Sequence, residues 1–129
     1  LAISSLAFGL VHLSNPGATL EGVLFIAVEA GILLAAAYML TGRLWLSMGL
    51  HMAWNCTQAA ILPVHVSGSG TSGGSVKAAI EGPDLLTGGA YGIECSLVGR
   101  VMMSATGLLL LGLAARRGKI VRPIWTRNG

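Results

Sequence analysis

The chain has 129 residues with 53% apolar and only 10% charged residues, a mean hydropathy of +0.75 and a net charge of +3. A soluble domain carries roughly 25% charged residues, and disorder requires low hydrophobicity with high charge, so both classes are excluded. Nucleic-acid binding is excluded too, because five of the eight bases fall in residues 116–129 and form no basic face on a folded domain.

The apolar text divides into four segments. Residues 1–13 are too short to span a bilayer and carry no charged leader, which excludes a secretory signal peptide; they read as the end of a truncated first helix. Ser14-Asn15-Pro16-Gly17 is a cluster of turn formers. Residues 20–40 supply about the 20 positions that a hydrocarbon core demands. Thr41-Gly42-Arg43 is a connector so short that residues 44–62, the next full span, must run back antiparallel to the segment before. Residues 63–94 are a Gly/Ser-rich loop, linker-like over 67–75, whereas 82–96 has apolar pairs and acids and can fold back toward the bundle. The last span is residues 95–115, followed by a basic tail over 116–129. The expected fold is all-α: a polytopic transmembrane bundle of three full spans plus the end of a truncated helix. Its core is residues 1–115.

Bases near span ends set orientation. Arg116, Arg117, Lys119, Arg122 and Arg127 in the tail and Arg43 in the connector fall on one side, which reads as cytoplasmic, with the long loop opposite. Trp45 and Trp125 fit an aromatic belt. Cys56 and Cys95 have neither metal spacing nor the density of a disulfide scaffold and read as structural.

Ionisable groups inside spans are costly and tend to mark function. His51 and Asn55 are four apart and share one helix face; His12 follows Phe8 by the same spacing. Two imidazoles and an amide converging in a low-dielectric interior can hold a metal, activate water or stabilise an oxyanion, and an interhelical hydrogen-bond network fits the same spacing. Glu29 can serve as a catalytic carboxylate, an ion-pair partner for Arg100 or a hydrogen-bond anchor and reads as structural, and Arg100 as a residue reaching for the nearer interface. His65 reads as a solvated loop histidine and Trp54 as packing.

With Phe8-x-x-x-His12, His51-x-x-x-Asn55, the passage TGRLWLSMGLHMAWN and Gly92-Ile93-Glu94-Cys95-Ser96 in view, the chain resembles the CAAX-protease and bacteriocin-processing (CPBP, or Abi) family of intramembrane proteases. The resemblance implies peptide-bond hydrolysis within a membrane, on a prenylated or bacteriocin-like substrate. It implies catalytic roles for His12, His51 and Asn55: His12 would work with a carboxylate to activate water, and His51 and Asn55 would stabilise the oxyanion. It leaves open Zn²⁺ or another divalent metal on His12 and His51. The expected setting is a bacterial plasma membrane, with lipid and a peptide or prenylated protein as partners and no nucleic acid. The family's Glu-Glu-x-x-x-Arg helix has no counterpart, since the chain holds no Glu-Glu pair. A fragment is therefore expected, inactive alone. The rival expectations are a catalytically silent scaffold or immunity protein of the same fold, and a transporter piece with a proton path through His12, Glu29 and His51.

Overall fold

In the computed structural model, residues 1–58 and 81–121 are described. Five helices carry the architecture: α1 (Ala2–Val11), α2 (Leu20–Thr41), α3 (Leu44–Cys56), the single turn α4 (Asp84–Thr87) and α5 (Leu97–Arg116). Among the described residues there is no strand. Short 3₁₀ turns, His12–Ser14, Gly89–Tyr91 and Ile93–Cys95, shape the connections. Among the described residues two helices, α2 and α5, are long and apolar enough to cross a membrane. The expected third span is helical over Leu44–Cys56, and its residues 59–62 lie outside the described residues. So do His65, Arg122, Trp125, Arg127 and loop residues 63–80.

Helix α2 is the hub on which α1, α3 and α5 pack. Its start is set by Thr19, whose hydroxyl accepts from the Gly22 N–H at 3.0 Å. Its end is set by Gly42, whose left-handed φ of 66° lets the N–H close on the Tyr38 carbonyl at 2.7 Å. That turn reverses the chain into α3, which is tied back to α2 by the Ser47 hydroxyl donating to the Leu34 carbonyl at 2.8 Å. Helix α5 begins at Ser96, whose Oγ accepts from the Gly99 N–H at 3.1 Å.

Small side chains make up much of the buried surface of this bundle, beside Val23, Ile26 and Met103: Ser5 and Gly9 on α1, Gly22, Ala27, Gly31, Ala36 and Ala37 on α2, Gly107 and Ala114 on α5. Many large apolar residues point outward, including Ile3, Leu24, Val28, Leu108 and Leu109. Lipid gives apolar side chains no reason to hide, so helices in a membrane associate through close backbone approach at small residues. The same arrangement in water would leave a large apolar surface unsatisfied. Gly9 faces Ala27 and Gly31 faces Ser5, so α1 runs antiparallel to α2. Gly107 lies against Leu33 while Arg100 meets Glu21, so α2 and α5 run parallel. The Gly42 connector and Lys119 consequently lie at one end of the bundle, where both line a groove with Tyr38 and Leu44.

The segment 82–96 does fold back. Tyr91 is 3% exposed and its ring fills the space above Gly22, in a small cluster with Ile26 and Cys95.

The α1–α2 contact has no room for a larger side chain, because a Cβ on Gly31 would stand 2.6 Å from Ser5 Cβ and 2.7 Å from Ser5 Cα. Gly31→Val is expected to destabilise the bundle by about 1–3 kcal/mol through overpacking. Gly112, where a Cβ would meet nothing within 4 Å, should accept alanine without loss. Thermal unfolding of both variants in lipid nanodiscs checks this contrast.

Candidate active site

Phe8 sits on α1 one turn before His12, which opens the 3₁₀ turn at the helix end. His12 Nδ1 is 2.8 Å from the Phe8 carbonyl oxygen. A carbonyl only accepts, so Nδ1 carries the proton and, in the neutral ring, Nε2 keeps the lone pair. On α3, the Asn55 amide Nδ2 lies 3.1 Å from His51 Nε2. An amide nitrogen only donates, so His51 Nε2 is the acceptor and the neutral ring carries its proton on Nδ1. Both rings are thus held with the proton on Nδ1, but their Nε2 atoms differ: that of His12 is left with an open lone pair, and that of His51 is taken up by Asn55. His12 offers a base, and His51 a donor at Nδ1.

The Phe8 ring joins them. Its centroid is 4.9 Å from the His12 ring, tilted by 56°, and 5.3 Å from the His51 ring, edge-on at 73°. Both imidazoles flank one aromatic ring, and Phe8 itself packs on the Ile26 cluster of α2. All three expected residues are partly buried. They do not all line one cavity. His51 borders an apolar space of about 180 Å³ between α2, α3 and α5, with Leu33, Leu34, Trp54, Met103 and Thr106, and His12 does not border it.

Of the two expected metal ligands, His12 has Nδ1 on the Phe8 carbonyl, His51 accepts at Nε2 from Asn55, and the Phe8 ring stands against both imidazoles. Among the described residues no three His, Cys, Asp or Glu side chains form a group able to hold a metal.

Glu29 and Arg100 meet in a different way from simple pairing. Arg100 Nη2 is 3.5 Å from Glu21 Oε1, and its guanidinium lies 3.5 Å above the Phe25 ring. Glu21, Phe25 and Glu29 follow one another at successive turns of α2, so they form one stripe facing α5. Glu29 lies in the field of Arg100, and its Oε2, like Arg100 Nε, is buried with no hydrogen-bond partner among the described residues.

Sequence reasoning missed a second polar cluster. Glu94, 4% exposed, accepts at Oε1 from Trp54 Nε1 at 2.7 Å and from Gln58 Nε2 at 3.1 Å. The available signal was the i, i+4 spacing of Trp54 and Gln58, which sets a second polar stripe beside His51 and Asn55. Near this cluster, burial pushes the Tyr91 hydroxyl up to about 12, with Cys95 and Glu94 adding to the effect. Burial likewise pushes the Cys95 thiol up to about 11, against the opposing pull of Arg100.

The first 57 residues match the family model described as type II CAAX prenyl endopeptidase Rce1-like. Over that segment the chain is similar to this family. The matched stretch contains α1, α2 and α3, and with them Phe8, His12, His51 and Asn55. Neither the curated proteins nor the solved structures yield a match to the chain. The match and the two apolar helices among the described residues both support a membrane protein similar to the CAAX-type endopeptidases.

The tautomer argument is open to direct measurement. Asn55→Leu removes the donation that holds His51 Nε2 as an acceptor. The imidazole ¹⁵N shifts of His51 are expected to move away from the Nδ1–H form, while those of His12, held by a backbone carbonyl, stay in place.

Proposed function

We propose that this chain carries part of the catalytic centre of an intramembrane endopeptidase of the CAAX prenyl type, which hydrolyses a peptide bond of a prenylated or bacteriocin-like substrate with activated water. The observation that carries the reading is the complementary pair of imidazoles on the Phe8 ring, inside the segment that matches the family. His12 Nε2 has the lone pair a water-activating group needs. The Nδ1–H of His51 and the second amide hydrogen of Asn55 are donors of the kind that stabilise a developing oxyanion, and the Asn55–His51 bond orients them in advance.

No residue of 1–129 is given the role of the principal carboxylate, since the Glu-Glu pair implied by the resemblance is not among them. Glu29 is not given that role, because it belongs to the α2 stripe in the field of Arg100. Arg116, Arg117 and Lys119, which lie with Arg43 at one end of the bundle, favour a cytoplasmic position for that end and contact with anionic lipid in a bacterial plasma membrane. The rival reading is a catalytically silent scaffold or immunity protein of the same fold. It draws on the separation of His12 from the cavity that His51 borders.

Turnover of a fluorescent prenyl-peptide by the full gene product in nanodiscs separates the two. Asn55→Ala is expected to lower turnover about 10²–10³-fold, the usual effect of losing one oxyanion donor. His12→Ala should be at least as severe, and His65→Ala close to wild type. Unchanged thermal midpoints alongside those losses support catalysis. Full activity in Asn55→Ala ends the oxyanion assignment, and loss of folding or partner binding with no turnover in the wild type favours the scaffold.

The described donors also favour chemistry without a bound metal. Turnover is expected to survive a strong divalent-metal chelator. Loss on chelation with recovery on adding Zn²⁺ would instead make His12 and His51 ligands.

A further inference from the structure

The Glu94 cluster connects two parts of the molecule that the chain itself separates by the whole long loop. On one side the 3₁₀ turn Ile93–Cys95 is seated on the first turn of α5. Ser96 Oγ donates to the Ile93 carbonyl at 2.6 Å while accepting from the Gly99 N–H, so one hydroxyl fastens the turn to the helix start. Gly99 allows the close approach: a side chain there would run into the Ile93 and Glu94 carbonyl oxygens. The backbone beneath Glu94 is thus held by α5.

On the other side, Glu94 Oε1 takes hydrogen bonds from Trp54, in the last turn of α3, and from Gln58, two residues beyond its end. Trp54 follows His51 by three residues and precedes Asn55 by one, and its ring lines the same cavity as His51. Helix α3 otherwise leans on α2, with the Ser47–Leu34 bond near its start. A buried acceptor is costly to leave unpaired, and two donors on one Glu94 oxygen hold this end of α3 in a single rotation. Rotation of α3 is what decides where His51 and Asn55 face.

We infer that Glu94 is a positioning residue for the candidate site: through Trp54 and Gln58 it sets the rotation of α3 that presents His51 and Asn55 to the interior of the bundle. The inference rests on the hydrolytic reading of His51 and Asn55 for its effect on turnover, but its structural half is independent of that reading.

The test uses the full gene product in nanodiscs with Glu94→Ala, Glu94→Gln and Trp54→Phe. Glu94→Gln keeps an acceptor oxygen in the same place; Trp54→Phe keeps a ring but removes the N–H. Glu94→Ala is expected to lower kcat about tenfold or more, the usual cost of losing an orienting partner, with KM little changed. Glu94→Gln should restore most of it. Trp54→Phe should fall between, and adding it to Glu94→Ala should bring no further loss, because Glu94→Ala has already removed the contact that Trp54→Phe removes. The imidazole ¹⁵N signals of His51 should shift in Glu94→Ala and return in Glu94→Gln. If the wild type proves inert on every prenyl-peptide, the proposed function fails, and the His51 signals alone decide the positioning role. Unmoved His51 signals in Glu94→Ala overturn the inference, as does a loss of kcat that Glu94→Gln does not restore.

Discussion

The close approach of helices to α2 is the constraint from which the rest follows. Gly31 against Ser5, Gly9 against Ala27 and Gly107 against Leu33 leave little space for ordinary side chains between backbones. In a hydrocarbon medium this contact, and not the burial of large apolar groups, supplies the packing energy. It fixes α1 antiparallel and α5 parallel to α2 and so determines which residues can meet at the bundle's middle.

The candidate site is a product of that geometry. With α1 drawn onto α2, Phe8 packs on the Ile26 cluster, and its ring reaches His51 on α3, which is itself drawn to α2 through Ser47. The imidazoles are then differentiated by very local bonds, one to a backbone carbonyl and one to a side-chain amide a turn away. Such short-range bonds are cheap in a low-dielectric interior, where an unpaired ring nitrogen would be costly. The result is a base and a donor made from the same residue type.

Two further polar systems sit at the α2/α5 end of the molecule. The Glu21–Phe25–Glu29 stripe surrounds Arg100, which gives an intramembrane cation both a carboxylate and an aromatic face. The Glu94 cluster links the end of the long loop to α3. Both lie where α5 begins, which makes the α5 start the place where loop, α2 and α3 are brought into register.

The all-helical class, the boundaries of α2 and α5, the Gly42 reversal and the common face of His51 and Asn55 were legible from residue order. Each depends on local chemistry: hydropathic run length, a left-handed glycine, and the four-residue repeat of a helix. The similarity to the CAAX-type family, too, falls within residues 1–57. Only the tertiary structure decided that Arg100 pairs with Glu21 and lies over Phe25, that Phe8 bridges His12 and His51 while the cavity borders only the latter, and that Glu94 returns to Trp54 and Gln58. These contacts join residues tens of positions apart, or select one partner among several at equal spacing along a helix. No local propensity encodes that choice; it is made by which small residues let two backbones come together, and by how far each helix turns when they do.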